Sequence, residues 1–408
     1  MKIEIKPSHL AGTVTAPPSK SMGHRMLICA GLASGKSRIS GISDSEDMLA
    51  TLDVLAGLGA TYQKTGDVVE ITGIDPRLAC PTHPLSCREC GSTLRFFIPI
   101  CLLSEHKATL CGAPRLFARP LDIYAELCRD QGLLWQPHDD EPALTVQGTL
   151  RGGDITLRGD VSSQFVTGLL LALPLCDEDS VIHILPPFES RSYVDLTLSA
   201  LRAFGISAEW QDELTLRIAG GQHYTPTDCT VEGDYSNAAF FDALALAGHD
   251  VRVAGLDEHS LQGDRVYRTY YPELQKGHAT LSIGDCPDLG PILMAVAAAE
   301  HGVTLTETRR LRIKESDRGA AMAQELAKFG VRVTVEEDTI TVDPESFHAP
   351  GETLDGHNDH RIVMALSTLL TLTGGVIEGA EAVRKSLPDY FDMIKALGCE
   401  VYIDEADN

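Results

Sequence analysis

Apolar positions along this 408-residue chain recur in one repeated order. In LDVLAGLGATYQ, YAELCRDQGLLWQ, LSALRAFGISAEW, AQELAKFGVRVTV and MIKALGCEVYI, apolar residues at helical spacing lead to a glycine and then to a short β-rich run. Glycine suits that place because the residue just past a helix end often turns left-handed. The glycines are Gly59, Gly132, Gly205, Gly330 and Gly398, with Gly277 in YPELQKGHATL as a weaker sixth. Their separations are 73, 73, 72, 53 and 68 residues. After several of these strands comes a polar turn and a second strand, as in QKTGDVVEITG, QPHDDEPALTVQG, WQDELTLRIAG and VEEDTITVDP, which read as hairpins. The pattern predicts an α/β chain of six units, each made of strands and two helices and ending in a hairpin. Such a unit is larger than a solenoid repeat, whose period is about 20–50 residues. Two groups of three units would form two similar domains, which also suits a chain too long for one ordinary core.

Composition narrows the class. With 43% hydrophobic and 23% charged residues, the chain is globular. Its longest apolar runs, 166–175 and 292–299, fall short of the roughly 20 residues that span a bilayer and read as buried helices. The start, MKIEIKPSHLAG, lacks the features of a signal or transit peptide, so a soluble, cytoplasmic protein is expected. Eleven scattered cysteines are expected to be free thiols. Cys87 and Cys90 form one CxxC without a second pair, and His357 and His360 lack a third ligand at recognisable spacing, so no metal is expected. The net charge of −24 speaks against nucleic acid and anionic membrane, and it makes clustered cations informative. GLASGKS is not a nucleotide loop, because the required first glycine would fall at Ala30.

The clusters lie at predicted helix starts, where free N–H groups and the dipole favour anions. PPSKSMGHR places Lys20, Ser21 and Arg25 there, with Ser19 or Ser21 as the cap. CGSTLR places Gly91, where a ligand could approach the backbone closely, and Arg95 one turn on. GAPRLFARPLD carries Arg115 and Arg119. GDVSSQF brings Ser162, Ser163 and Gln164 to a very apolar helix, and ESRSY brings Ser190 and Tyr193. DCPDLG supplies Asp288, a cap or a base, and HNDHR supplies Asp359, His360 and Arg361. LRIKESDRGAAMAQEL packs Lys314, Glu315, Asp317 and Arg318 into five residues, so that cations could hold an anion while a carboxylate moves a proton. Singly, each cluster is equally compatible with a capped helix or a charged turn; together they make a coherent set.

PPSKSMGHR, CGSTLR, ARPLD, SSQFVTGLLLALP, IKESDR, NDHR and KSLPDYF, in this order, closely resemble the 5-enolpyruvylshikimate-3-phosphate synthase family from about Lys6 to Leu397. The resemblance implies two domains, each of three βαβαββ units in an inverse α/β barrel-like arrangement, closing on the substrates. It implies crossings near Gly12 and Thr230, hence a domain over 13–229 on the shikimate-phosphate side. Residues 1–12 with 230–408 would form the second, on the phosphoenolpyruvate side. The family transfers the enolpyruvyl group of phosphoenolpyruvate to the 5-hydroxyl of shikimate 3-phosphate, releasing phosphate, on the way to chorismate and the aromatic amino acids. No metal or organic cofactor is implied, and a monomer is expected.

By resemblance, Lys20, Ser21, Arg25, Ser162, Ser163, Gln164, Ser190, Tyr193, Asp288 and Lys314 contact shikimate 3-phosphate. Lys20, Gly91, Arg119, Gln164, Arg318, Arg361 and Lys385 contact phosphoenolpyruvate. Asp288 would accept the 5-hydroxyl proton, and Glu315 or Lys20 would protonate the methylene carbon. Seven cations would offset the repulsion between two anions in a site that excludes water. Two positions depart from the family: Glu89 stands where Asn is frequent, and Arg310 where some members have Asn. A UDP-N-acetylglucosamine enolpyruvyl transferase would carry a catalytic cysteine five residues before the arginine of ARP, where this chain has Pro114. A non-catalytic anion-binding protein on the same fold is the remaining alternative, separable by a phosphate-release assay.

Overall fold

The computed structural model describes residues 1–404. The chain divides into two compact units, Pro18–Glu232 and Met1–Pro17 together with the chain from Gly233 onward. The divisions fall a few residues past the crossings expected at Gly12 and Thr230.

The unit Pro18–Glu232 holds three four-stranded sheets of one design. Leu85–Ser86 runs parallel to Ala108–Cys111, which pairs antiparallel with Ala143–Gln147, which pairs antiparallel with Leu134–Pro137. Gly153–Arg158, Ser180–Leu185, Thr215–Ile218 and Ala208–Trp210 repeat that order. In the third sheet the late strand Cys229–Thr230 lies parallel to Lys36–Ser40, followed by the hairpin Thr61–Thr65 and Val68–Thr72. The chain thus returns at its end to complete the unit it began with.

In the other unit, Ala279–Ser282, Val303–Thr306, Thr339–Asp343 and Arg332–Val335 form the same sheet. A second uses the N-terminal strand Lys2–Lys6 between Gly375–Glu378 and Glu400–Asp404, with Leu354–Asp355 parallel to Gly375–Glu378. The third is abbreviated to the parallel pair Ala11–Thr15 and Asp250–Ala254. After the helix Tyr267–Leu274 the chain enters the strand Ala279–Ser282 directly, without a hairpin. That missing hairpin explains the short 53-residue spacing after Gly277.

All six repeat glycines have positive φ, from 69° at Gly132 to 156° at Gly277. Each lies at or just past a helix end, where a side chain would strain the backbone.

Within each unit three helices are buried along nearly their whole length. They are Lys20–Leu32, Gly91–Cys101 and Ser163–Ala172 in the first, and Tyr235–Leu246, Gly290–Ala299 and His360–Thr373 in the second. Apolar residues all round, as in FVTGLLLA and ILMAVAAA, leave these helices no stable place but the core. The helix Ser163–Ala172 comes so close to Gly91–Cys101 that a Cβ on Gly168 would meet the carbonyl of Arg95 at 2.6 Å. Helices with one polar face, such as Asp122–Gln131, Arg191–Ala203 and Arg318–Ala327, flank the buried trios. Among the described residues no helix is long and apolar enough to cross a membrane.

Candidate active site

The buried helices present their N-terminal ends to the functional residues, and the two units cap those ends differently. In the unit Pro18–Glu232 the capping atoms are neutral. Ser19 Oγ accepts from Met22 N, Cys90 Sγ from Thr93 N and Ser162 Oγ from Gln164 N. Neutral caps leave the positive helix ends uncompensated, which suits anions. In the other unit two of the three helices have carboxylate caps, Asp234 accepting from Asn237 N at 2.7 Å and Asp359 from Arg361 N at 2.9 Å, while Gly290–Ala299 has no side-chain cap.

In the unit Pro18–Glu232, Lys20 opens its helix and donates to Asp47 Oδ2 at 2.8 Å. Ser21 follows, half-buried, and its carbonyl accepts from Arg25 Nη1 at 2.6 Å. Arg25 also donates from Nε to Thr197 Oγ1 at 2.8 Å and from Nη2 to Thr167 Oγ1 at 3.3 Å and the Tyr193 carbonyl at 2.9 Å. Burial brings its pKa down to about 10. Four of its five N–H groups are therefore engaged, three of them in pinning Lys20–Leu32 to the helices of Thr167 and Thr197. Gly91 is buried; a Cβ there would collide with Arg119 Nη1 and lie 3.8 Å from Gln164 Oε1. The amide of Gln164 is held at both ends, with Arg95 Nη1 donating to Oε1 at 2.8 Å and Nε2 donating to Ser92 Oγ at 3.0 Å. Ser163 is buried beside it. Ser190, fully buried, has φ 60°, a left-handed conformation that a non-glycine residue adopts only where its surroundings enforce it. Tyr193 is half-buried against the core, and its carbonyl takes both Arg25 and Thr197.

In the other unit five of the six predicted residues, all but Lys385, are drawn together by two hubs, Asp288 and Arg318. Asp288, in the turn Pro287–Leu289, accepts from Lys314 Nζ at 3.1 Å and Arg318 Nη1 at 2.8 Å, with Arg361 Nη2 at 3.7 Å from its other oxygen. Arg318 also donates to Glu315 Oε2 at 2.8 Å and to Asp359 Oδ2 at 2.9 Å. Burial opposes the charge on Arg318, but Asp359, Glu315 and Asp288 outweigh it and raise its pKa. Burial lowers the pKa of Lys314; Asp288 opposes this, while Arg310 and Arg318 add to it. Arg361 lies over the Phe240 ring and donates to Asn237 Oδ1 at 3.3 Å. Lys385 Nζ donates to the Asn358 carbonyl at 2.6 Å, which ties it to the loop bearing Asp359. That loop is left-handed at His357 and Asn358, with φ 49° and 50°.

Three partners escaped the sequence reading. Asp47 lies in the first turn of Glu46–Gly57, where nothing local marks it as a partner of Lys20, and only the fold sets it there. Arg95 was noted but not placed; its guanidinium, 5.0 Å over the Phe165 ring, orients Gln164. Asp359 was read as one of several charges, whereas it caps a helix and holds Arg318. Of the two departures, Glu89 is exposed, and Arg310 is buried with Nη1 donating to the Gly284 carbonyl at 3.3 Å. All eleven cysteines are free thiols.

Residues 5–394 match the family model described as EPSP synthase (3-phosphoshikimate 1-carboxyvinyltransferase). The 3-phosphoshikimate 1-carboxyvinyltransferase of Clostridium kluyveri is 38% identical, with 98% of both chains covered. That of Clostridioides difficile is 37% identical, with 97% of both covered. Among solved structures, EPSP synthase from Acinetobacter baumannii superposes with a TM-score of 0.79 at 24% identity, covering 98% of this chain and 100% of that one. The enolpyruvyl transferase NikO from Streptomyces tendae also gives 0.79, at 15% identity and 98% of both chains. At those identities the superpositions speak for the two-domain, six-repeat fold. The full-length sequence matches speak for the family, and with them the chain belongs to the EPSP synthase (3-phosphoshikimate 1-carboxyvinyltransferase) family.

Proposed function

We propose that the chain transfers the enolpyruvyl group of phosphoenolpyruvate to the 5-hydroxyl of shikimate 3-phosphate and releases phosphate. The observation that carries this reading is the linked set of Asp288, Lys314, Glu315, Arg318, Asp359 and Arg361. It combines a carboxylate placed to accept a proton with cations that hold anions. In this reading Asp288, in contact with Lys314 and Arg318, accepts the proton of the attacking hydroxyl. Glu315 or Lys20 delivers a proton to the methylene carbon, which opens the adjacent carbon to attack; each is ion-paired, with Arg318 and Asp47 respectively. The tetrahedral adduct then expels phosphate. Each proton transfer of this kind contributes roughly 10²–10⁴-fold.

Lys20, Ser21, Ser162, Ser163, Gln164, Ser190, Tyr193, Asp288 and Lys314 would contact shikimate 3-phosphate, with the last N–H group of Arg25. Lys20, Gly91, Arg119, Gln164, Arg318, Arg361 and Lys385 would hold phosphoenolpyruvate. The neutral caps of Ser19, Cys90 and Ser162 support an anion at those helix ends. We read the chain as a cytoplasmic monomer that binds neither nucleic acid nor membrane, in keeping with a net charge of −24. An assay of phosphate release tests the proposal: release should require both substrates together. No release with both present, from folded protein, would overturn it. Release with UDP-N-acetylglucosamine as acceptor would favour the cell-wall enzyme's reaction, which Pro114 already disfavours.

A further inference from the structure

Beside Lys20, three side chains from three elements meet within the unit Pro18–Glu232. They are His24 from the helix Lys20–Leu32, Asp47 from Glu46–Gly57, and Cys90, the cap of Gly91–Cys101. Their ligating atoms all lie within 4.8 Å of one another, and all three residues are buried. No other group of this kind occurs among the described residues.

We propose that His24 Nε2, Asp47 and Cys90 Sγ bind one thiophilic divalent cation of the zinc class, which takes Asp47 from Lys20 and reversibly inhibits the enzyme. The donor set carries the choice of ion. A thiolate, an imidazole and one carboxylate suit zinc or cobalt, whereas magnesium and calcium seek oxygen ligands. Three protein ligands leave one tetrahedral position for water or an anion, as in an open zinc site. Cys90 Sγ and His24 Nε2 are 3.8 Å apart. Zinc bonds of about 2.3 Å to sulfur and about 2.0 Å to nitrogen would place them roughly 3.5 Å apart, so only a small shift is needed.

The imidazole is already oriented for this role. Nδ1 lies 2.8 Å from Thr51 Oγ1, which lies 2.8 Å from Thr93 Oγ1, so the second nitrogen faces the thiol. A metal-bound histidine is commonly anchored through its other nitrogen in this way. Asp47 already holds one cation, the Lys20 ammonium at 2.8 Å, and a divalent ion would compete for the same oxygens. On ligation the Cys90 thiol becomes a thiolate and its proton leaves to solvent.

The metal site stands on geometry alone, whereas the inhibition rests on the proposed role of Lys20. Cobalt(II) and zinc(II) titrated into the chelator-treated full-length protein separate the two. Wild type should bind one equivalent of cobalt with a thiolate-to-cobalt charge-transfer band and the visible bands of a tetrahedral ion. Zinc should displace it, turnover should fall in step with occupancy, and a chelator should restore it. Cys90→Ser keeps a capping oxygen but loses the sulfur band and should bind zinc more than about 100-fold more weakly, since even losses outside the ligand shell cost about 10–100-fold. His24→Gln should weaken binding comparably. Wild type without the sulfur band, or equal zinc inhibition in wild type and both variants, would overturn the site. A sulfur-ligated ion with undiminished turnover would overturn the inhibition and count against Lys20 in the reaction.

Discussion

Arg318 donates through Nε to Asp359 Oδ2 at 2.9 Å, and neither side chain exposes more than 1% of its surface. Through its other nitrogens the same guanidinium reaches Asp288 and Glu315, so one buried cation fixes the two proposed proton-transfer carboxylates relative to each other. Asp288, Glu315 and Asp359 pair with Lys314, Arg318 and Arg361. An arriving anion would therefore exchange one set of ion pairs for another rather than meet bare charge.

Asp359→Ala removes both a helix cap and the partner of a buried cation. Breaking a buried pair from one side costs about 3–5 kcal/mol, because the remaining charge stays desolvated. Asp359→Asn keeps an oxygen for the cap and should cost distinctly less. Urea unfolding of the three proteins side by side checks this; coincident midpoints would show that Asp359 does not hold Arg318 in solution.

Glu315→Gln leaves an amide oxygen for Arg318 Nη2 and removes the acid. Turnover should fall by about 10²–10⁴-fold while both KM values stay within a few-fold. Wild-type turnover in the variant would take Glu315 out of the chemistry and leave Lys20 as the carbon acid.

How much of this could be read from the chain depends on the range of the interaction. Helix-end glycines answer to local backbone geometry, so Gly59, Gly132, Gly205, Gly330 and Gly398 stood out by position alone, and all five have positive φ. Ser162 as a cap is equally local. The abbreviated unit at Gly277 also left its trace, as a spacing of 53 where 72 or 73 was usual. What escaped depends on distant partners. Lys20 and Asp47 are 27 positions apart, and Arg25 and Thr197 are 172 apart. His24, Asp47 and Cys90 share no spacing a metal motif would reveal, because three separate elements deliver them. The resemblance supplied residue identities, but only the fold shows that Arg25 is largely committed to holding helices together.

The loop carrying Asp359 should give the protein a pH-dependent stability. Glu325, fully buried, accepts from His357 Nε2 at 3.0 Å, Lys328 Nζ at 2.8 Å and Asp355 N at 2.9 Å. The bond to Glu325 raises the His357 pKa above 6.5 against burial, which lowers it. Burial raises the Glu325 pKa, but His357, Lys328 and the Asp355 N–H outweigh it and bring it below 4.5. His357 thus contributes fully below its unfolded value of 6.5, and the contribution fades as pH rises through the raised folded value. The share from Glu325 is full above 4.5 and fades as pH falls through the lowered one. Both contributions coexist between 4.5 and 6.5. In thermal melts from about pH 5 to about pH 9, His357→Gln should lower Tm at the acid end and converge on wild type at the alkaline end. A deficit that stayed constant with pH would refute the linkage.

Gly91→Ala tests the close approach between a helix end and Arg119. The new methyl would occupy space held by Arg119 Nη1 and stand 3.8 Å from Gln164 Oε1. Gly91 has an ordinary helical backbone and its nearest clash is with the tip of a flexible side chain, so the protein should fold and the guanidinium should yield. If Arg119 holds phosphoenolpyruvate, its displacement should raise the KM for that substrate by tenfold or more, on the order of 1.4 kcal/mol. The KM for shikimate 3-phosphate should change much less. Inhibition by glyphosate, a competitor for the phosphoenolpyruvate pocket, should weaken in parallel. An unchanged KM for phosphoenolpyruvate with unchanged glyphosate inhibition would place Gly91 outside that pocket. Arg119→Lys in the Gly91→Ala background separates sterics from charge. The shorter, rounder ammonium leaves room for the methyl, so recovery of KM would locate the defect in the crowding of the guanidinium.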